Sequence, residues 1–158
     1  MKKHELPHVR ERLKPLVGQC LHDAGYAADM LTLGFGPDGA YRLHIECSYR
    51  MATEEMILFD RIDYFIGEET DNRLFGAIRE LREHLEGMTV TGVEINQLGD
   101  LRLTFATGVT LLALPMRSDD DECWRFWNDA VWPDQHMVVC GDHVELQGPG
   151  EACCGICD

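Results

Sequence analysis

Leu101, Leu103 and Phe105 alternate with polar residues, Ala106-Thr107-Gly108 interrupts the run, and Val109 to Leu114 carries it back. A period of two puts these large side chains on one face of a strand, and a short break containing glycine suits a hairpin. The same signature stands earlier in the chain. Leu31, Leu33 and Phe35 alternate, Gly39 interrupts, and Tyr41, Leu43 and Ile45 follow.

Between these signatures the period changes. Leu74, Phe75, Ile78, Leu81 and Leu85 recur at helical spacing, with Arg73, Arg79, Glu80, Arg82 and Glu83 on the other side. That pattern predicts an amphipathic helix over 71–86, capped by Thr70 or Asp71 and closed by Gly87. A short helix is predicted over 5–14 from Pro7, Val9 and Leu13, with Pro15 disfavouring helical geometry at Lys14. Met56 to Asp60 reads as a buried strand, which 61–66 extends or pairs back on. The stretch 123–127 has two readings. Ser118 to Asp121 resembles a helix cap, whereas the alternation of Trp124 and Phe126 favours a strand, and strand is the stronger expectation.

The landmarks repeat. Gly18 and Gly87 are 69 residues apart, Phe35 and Phe105 are 70 apart, and Gly39 and Gly108 are again 69 apart. Tyr49-Arg50-Met51 is echoed by Trp124-Arg125-Phe126, and Met56 to Phe59 by Met137 to Cys140, at wider offsets that loop insertions would produce. The expected fold is α+β and predominantly antiparallel β, with two repeated β-hairpin units related by a pseudo-two-fold. Residues 1–158 then form one domain. It comprises a first β unit at 16–66, the connecting helix at 71–86, a second β unit at 87–146 and a tail at 147–158.

Charge narrows the function classes. Twenty-eight acidic residues against fourteen basic ones give a formal net charge of −14. Nucleic-acid binding and anionic membranes call for clustered Lys and Arg, so neither is an expected partner. An acidic surface speeds encounter with a basic protein, and also simply keeps a small protein soluble. No apolar run reaches the roughly 20 residues of a membrane helix, and the opening residues lack a signal-peptide pattern. The expected location is the cytoplasm. Seven cysteines, an odd number, argue against a disulfide framework, and Cys20 and Cys47 read as small core residues.

Candidate chemistry is sparse. Gly34-Phe35-Gly36-Pro37-Asp38-Gly39 matches the dinucleotide glycine pattern only formally, because a strand rather than a helix follows. Cys140 and His143, with Cys154 and Cys157, form two pairs at knuckle spacing that could supply a tetrahedral zinc site. The plainer reading is a buried Cys140, an exposed His143 and a loose tail, with no cofactor. Hydrolytic chemistry would draw on His44 and His136 with Asp60, Asp63 or Asp142, but no serine sits on a nucleophile elbow. Asp119, Asp120, Asp121 and Glu122, beside Trp127 and Trp132, are candidates for a binding surface, since aromatics anchor interfaces and acids steer basic partners.

Glu122-Cys123-Trp124-Arg125-Phe126, His136 to Val139 and Val144 to Leu146, with the preceding Gly87, Val93 to Ile95 and Asp100 to Gly108 pattern, resemble an uncharacterised family of small bacterial proteins. The resemblance covers mainly 71–146 and implies an immunity-type role beside a secreted toxin. The expected function is therefore a non-enzymatic acidic protein that neutralises a basic toxin, with a homodimer left open. The alternative is a zinc-binding protein or metal-dependent enzyme using the C-terminal Cys and His residues.

Overall fold

Val9 and Leu13, four residues apart, are both fully buried on α1 (Leu6–Leu13), with Pro7 in the first turn. The chain then tightens into a 3-10 turn at Lys14–Leu16, where Pro15 breaks the α-helical ladder. This computed structural model describes residues 5–131 and 136–147. The strands of the first half are β1 (Leu21–Ala27), β2 (Met30–Phe35), β3 (Tyr41–Ile45), β4 (Ser48–Ala52) and β5 (Ile57–Asp60). A small ribbon, β6 (Gly67–Glu68) with β7 (Asp71–Asn72), leads into α2 (Arg73–Glu83). Then come β8 (Val90–Ile95), β9 (Leu101–Phe105), β10 (Thr110–Leu114), β11 (Glu122–Asn128), β12 (His136–Cys140) and β13 (Val144–Gln147). The protein is α+β, with antiparallel sheet predominating.

Both predicted hairpins form. In the first, Leu31 faces Ile45 and Leu33 faces Leu43; in the second, Leu101 faces Ala113 and Leu103 faces Leu111. The chain then changes sheets. After β3, residues 46–47 turn and β4 joins β10, giving a five-stranded sheet of order β5-β4-β10-β9-β8. After β10 the chain returns and β11 joins β3, giving a six-stranded sheet of order β1-β2-β3-β11-β12-β13. The Cys123 carbonyl secures the first crossing by accepting from the amides of Glu46 and Cys47 at 2.9 and 3.0 Å.

Inward side chains of both sheets make one core. Phe35 of β2 stacks on Phe105 of β9 with ring centroids 6.5 Å apart, and Trp124 is fully buried. Leu74 and Ile78 of α2 enter the same core, while Arg82 ties the helix to β1 through the Ala24 carbonyl at 2.6 Å and Asp23 at 3.1 Å.

Several local expectations are corrected. Asn72, not Thr70 or Asp71, caps α2 by accepting from the Phe75 amide, and the helix ends at Glu83, before Gly87. Residues 61–65 form a 3-10 turn because Asp60 and Asp63 make a reciprocal capping box. Of the run Met56 to Asp60 only Phe59 is buried, and Met56 and Ile57 are exposed. Cys20 is exposed rather than in the core. The stronger expectation for 123–127 holds, because these residues are strand and no helix follows Ser118 to Asp121. The tail beyond Gln147 lies outside the described residues.

Candidate functional site

The hairpin of β12 and β13 turns through Gly141 and Asp142, closed by the Cys140 amide donating to the His143 carbonyl at 2.9 Å. Val139 faces Val144, so Cys140 and His143 come opposite one another at the mouth of the turn. Glu145 lies two residues beyond His143 and so shares its face. The result is a cluster in which the Cys140 thiol, a His143 ring nitrogen and a Glu145 carboxylate oxygen lie within 4.8 Å of one another. Two of the four candidate zinc ligands, Cys140 and His143, are thus brought together. Cys154 and Cys157 lie outside the described residues. Glu145 escaped the sequence reading, although His143-x-Glu145 at the entry to a strand was a signal for a third donor on that face.

Electrostatics bind this cluster tightly. His143 Nδ1 meets Asp142 Oδ1 at 2.5 Å and Nε2 meets Glu145 Oε1 at 2.9 Å. The Asp142 and Glu145 carboxylates raise the His143 pKa, and His143 lowers theirs, with Gln147 also helping Glu145. Burial, reinforced by Glu145 and Glu122, pushes the Cys140 thiol up to about 12.

The acidic run packs directly against this turn. The Gly141 amide donates to the Asp121 carbonyl at 3.3 Å. Arg117 pairs with Asp119 at 2.7 Å and also with Asp121, and Glu122 pairs with Arg125. Asp119, Asp121 and Glu122 are therefore engaged within the chain, and Glu122 is largely buried. Asp120 is exposed and forms no ion pair among the described residues.

Trp127 is half-buried on the outward face of the six-stranded sheet. It lies between His44, edge-on at 4.6 Å, and His136, stacked at 4.5 Å. Its indole donates to Asp129 at 2.6 Å, and Asp129 pairs with Arg42 at 3.2 Å. Burial and then the neighbouring Arg125 lower the His44 pKa. Asp60 and Asp63 are not part of this group, because they cap the 3-10 turn after β5. Asp142 belongs to His143. Trp132 lies outside the described residues.

A second surface was not anticipated. At one edge of the five-stranded sheet, on β5 and in the turns that flank it, Met56 (60% exposed), Ile57, Ile62 (63%), Phe65 (69%) and Ile66 present apolar side chains to solvent. Residues 53–72 carry seven acidic residues against one arginine, Arg61. Of these, Glu54, Glu55, Glu68 and Glu69 are exposed and form no ion pair among the described residues. A shallow groove of about 400 Å³ adjoins this strand, lined among others by Arg50, Thr53, Met56, Ile57 and Leu112. The clue available in sequence was the acid-flanked apolar pattern of 54–69, which a buried strand would also show.

No protein-family model, curated protein or solved structure matches this chain. No helix among the described residues is long and apolar enough to cross a membrane.

Proposed function

We propose that the protein is a non-enzymatic acidic binding protein of immunity type, which captures a basic protein through the edge of its five-stranded sheet formed by β5 and the turns beside it. The observation that carries this reading is the acid-flanked set of exposed Met56, Ile57, Ile62, Phe65 and Ile66. Large apolar side chains left in water at one edge are contact anchors, and carboxylates beside them attract lysine and arginine while repelling acidic competitors. The net charge of −14 extends that attraction beyond contact distance. The location proposed for this activity is the cytoplasm.

An array of synthetic peptides graded in charge and apolar content tests the reading, with the full chain and an Ile62→Ser/Phe65→Ser variant as probes. Basic peptides bearing aliphatic or aromatic anchors should bind, more weakly at high salt, and the variant should lose at least tenfold. Binding that ignores peptide charge, or is unchanged in the variant, overturns the proposal.

We also infer that the two halves are copies related by an approximate two-fold. The register of the paired hairpins supports this reading: Leu33 faces Leu43 as Leu103 faces Leu111. The exchanged strands β4 and β11 each pair with the third strand of the other half. An experimental structure in which residues 31–45 fail to superpose on 101–113 would refute it.

A further inference from the structure

We propose that Cys140, His143 and Glu145 form a zinc site, oriented by Asp142, that locks the β12–β13 turn against the loop 117–121. Three donors of different chemistry converge within 4.8 Å at one turn. A thiolate, an imidazole and a carboxylate together suit zinc, whereas calcium and magnesium prefer all-oxygen sets. The Cys-x2-His spacing lets a tight turn bring both side chains to one side, and the Cys140 to His143 backbone bond holds that turn shut. Asp142 meets Nδ1 at 2.5 Å, leaving Nε2 directed at Glu145. A carboxylate on the remote nitrogen fixes ring orientation and tautomer, as expected of the outer partner of a zinc-bound histidine. Zinc would exchange the contact between Nε2 and Oε1 at 2.9 Å for bonds to the metal, and the thiol would give up its proton on binding.

The site is also built into the fold. A Cβ at Gly141 would lie 2.6 Å from the carbonyl oxygens of both Arg117 and Asp119, so the loop sits hard against the turn that carries the ligands. Zinc binding therefore orders the loop as well as the turn.

The test uses the full chain, reduced and freed of metal, titrated with Co²⁺ and then Zn²⁺. Wild-type protein should bind one equivalent of cobalt at this site with a thiolate-to-metal charge-transfer band, and zinc should displace it. Cys140→Ser should abolish the band. His143→Ala and Glu145→Gln, which alter only partly exposed side chains, should each weaken binding at least tenfold, and Asp142→Asn by roughly 10-fold or more. Absence of a thiolate band in the wild type overturns the proposal. So does cobalt or zinc binding that persists unchanged in both His143→Ala and Glu145→Gln.

Discussion

Trp124 donates its indole N–H to the Gly99 carbonyl at 2.9 Å, joining the six-stranded sheet to the turn between β8 and β9 in the other sheet. Both partners are buried, so the bond has no water to fall back on. Trp124→Phe should cost about 2 kcal/mol, from one unsatisfied buried carbonyl plus a small void. Urea denaturation of the variant measures this, and a loss below 0.5 kcal/mol, as for ~neutral surface changes, contradicts it.

Tyr49 presents the opposite case. Its ring packs edge-on against Phe59 at 6.4 Å, yet its buried hydroxyl has no hydrogen-bond partner among the described residues. Burial also raises the pKa of the phenol. Tyr49→Phe removes the oxygen and keeps the ring, so it should stabilise the protein by about 1 kcal/mol. A destabilised variant in the same denaturation assay contradicts this.

How much of this was legible follows from where the information resides. Hairpins are local: alternation plus Gly39 or Gly108 fixes a partner a few residues away, and both formed. Pro15 likewise acts on its own neighbourhood. Strand exchange is not local, since nothing in Ser48–Ala52 says that it pairs with β10 rather than with β3. Apolar content alone cannot separate Phe59, which is buried, from Ile57 on the same strand, which is exposed. Charge runs mislead for a similar reason. Asp119, Asp120, Asp121 and Glu122 read as one patch, but Arg117 and Arg125 engage three of them. At the candidate metal site the Cys-x2-His pair was legible, and Glu145 became visible only once the strand's facing was known.

His143 and His44 should titrate on opposite sides of the ordinary imidazole value of 6.5 in metal-free protein. His143 gains two carboxylates on folding, so its pKa is raised; the stabilisation is full below 6.5 and fades as pH rises through the raised value. Asp142 and Glu145 are lowered from 3.8 and 4.5, so their share is present above those values and fades as pH falls through the lowered ones. The trio therefore favours the fold most between pH 4.5 and 6.5. His44 is depressed by burial and Arg125, so it favours the fold above 6.5 and loses that preference as pH falls through its lowered value. Proton NMR of the ring C–H resonances in chelator resolves the two, and coincident midpoints contradict the assignment.

Glu122 and Asp120 stand two residues apart in one acidic run, and their reversal should have different consequences. Glu122 accepts from Arg125 Nε at 2.5 Å as well as from its terminal nitrogen, and both side chains are largely buried. Reversal to Glu122→Lys places two cations together out of water, and breaking a buried pair should cost about 3 kcal/mol. Asp120 is exposed, so Asp120→Lys should leave stability within about 0.5 kcal/mol. If the surface charge steers a basic partner, Asp120→Lys should slow association slightly at low salt and not at high salt. Denaturation midpoints and stopped-flow association with a basic peptide selected from the array separate these effects. Equal stability loss in the two variants would show that the run behaves as a single patch after all, and that the Glu122–Arg125 pair contributes little to the fold.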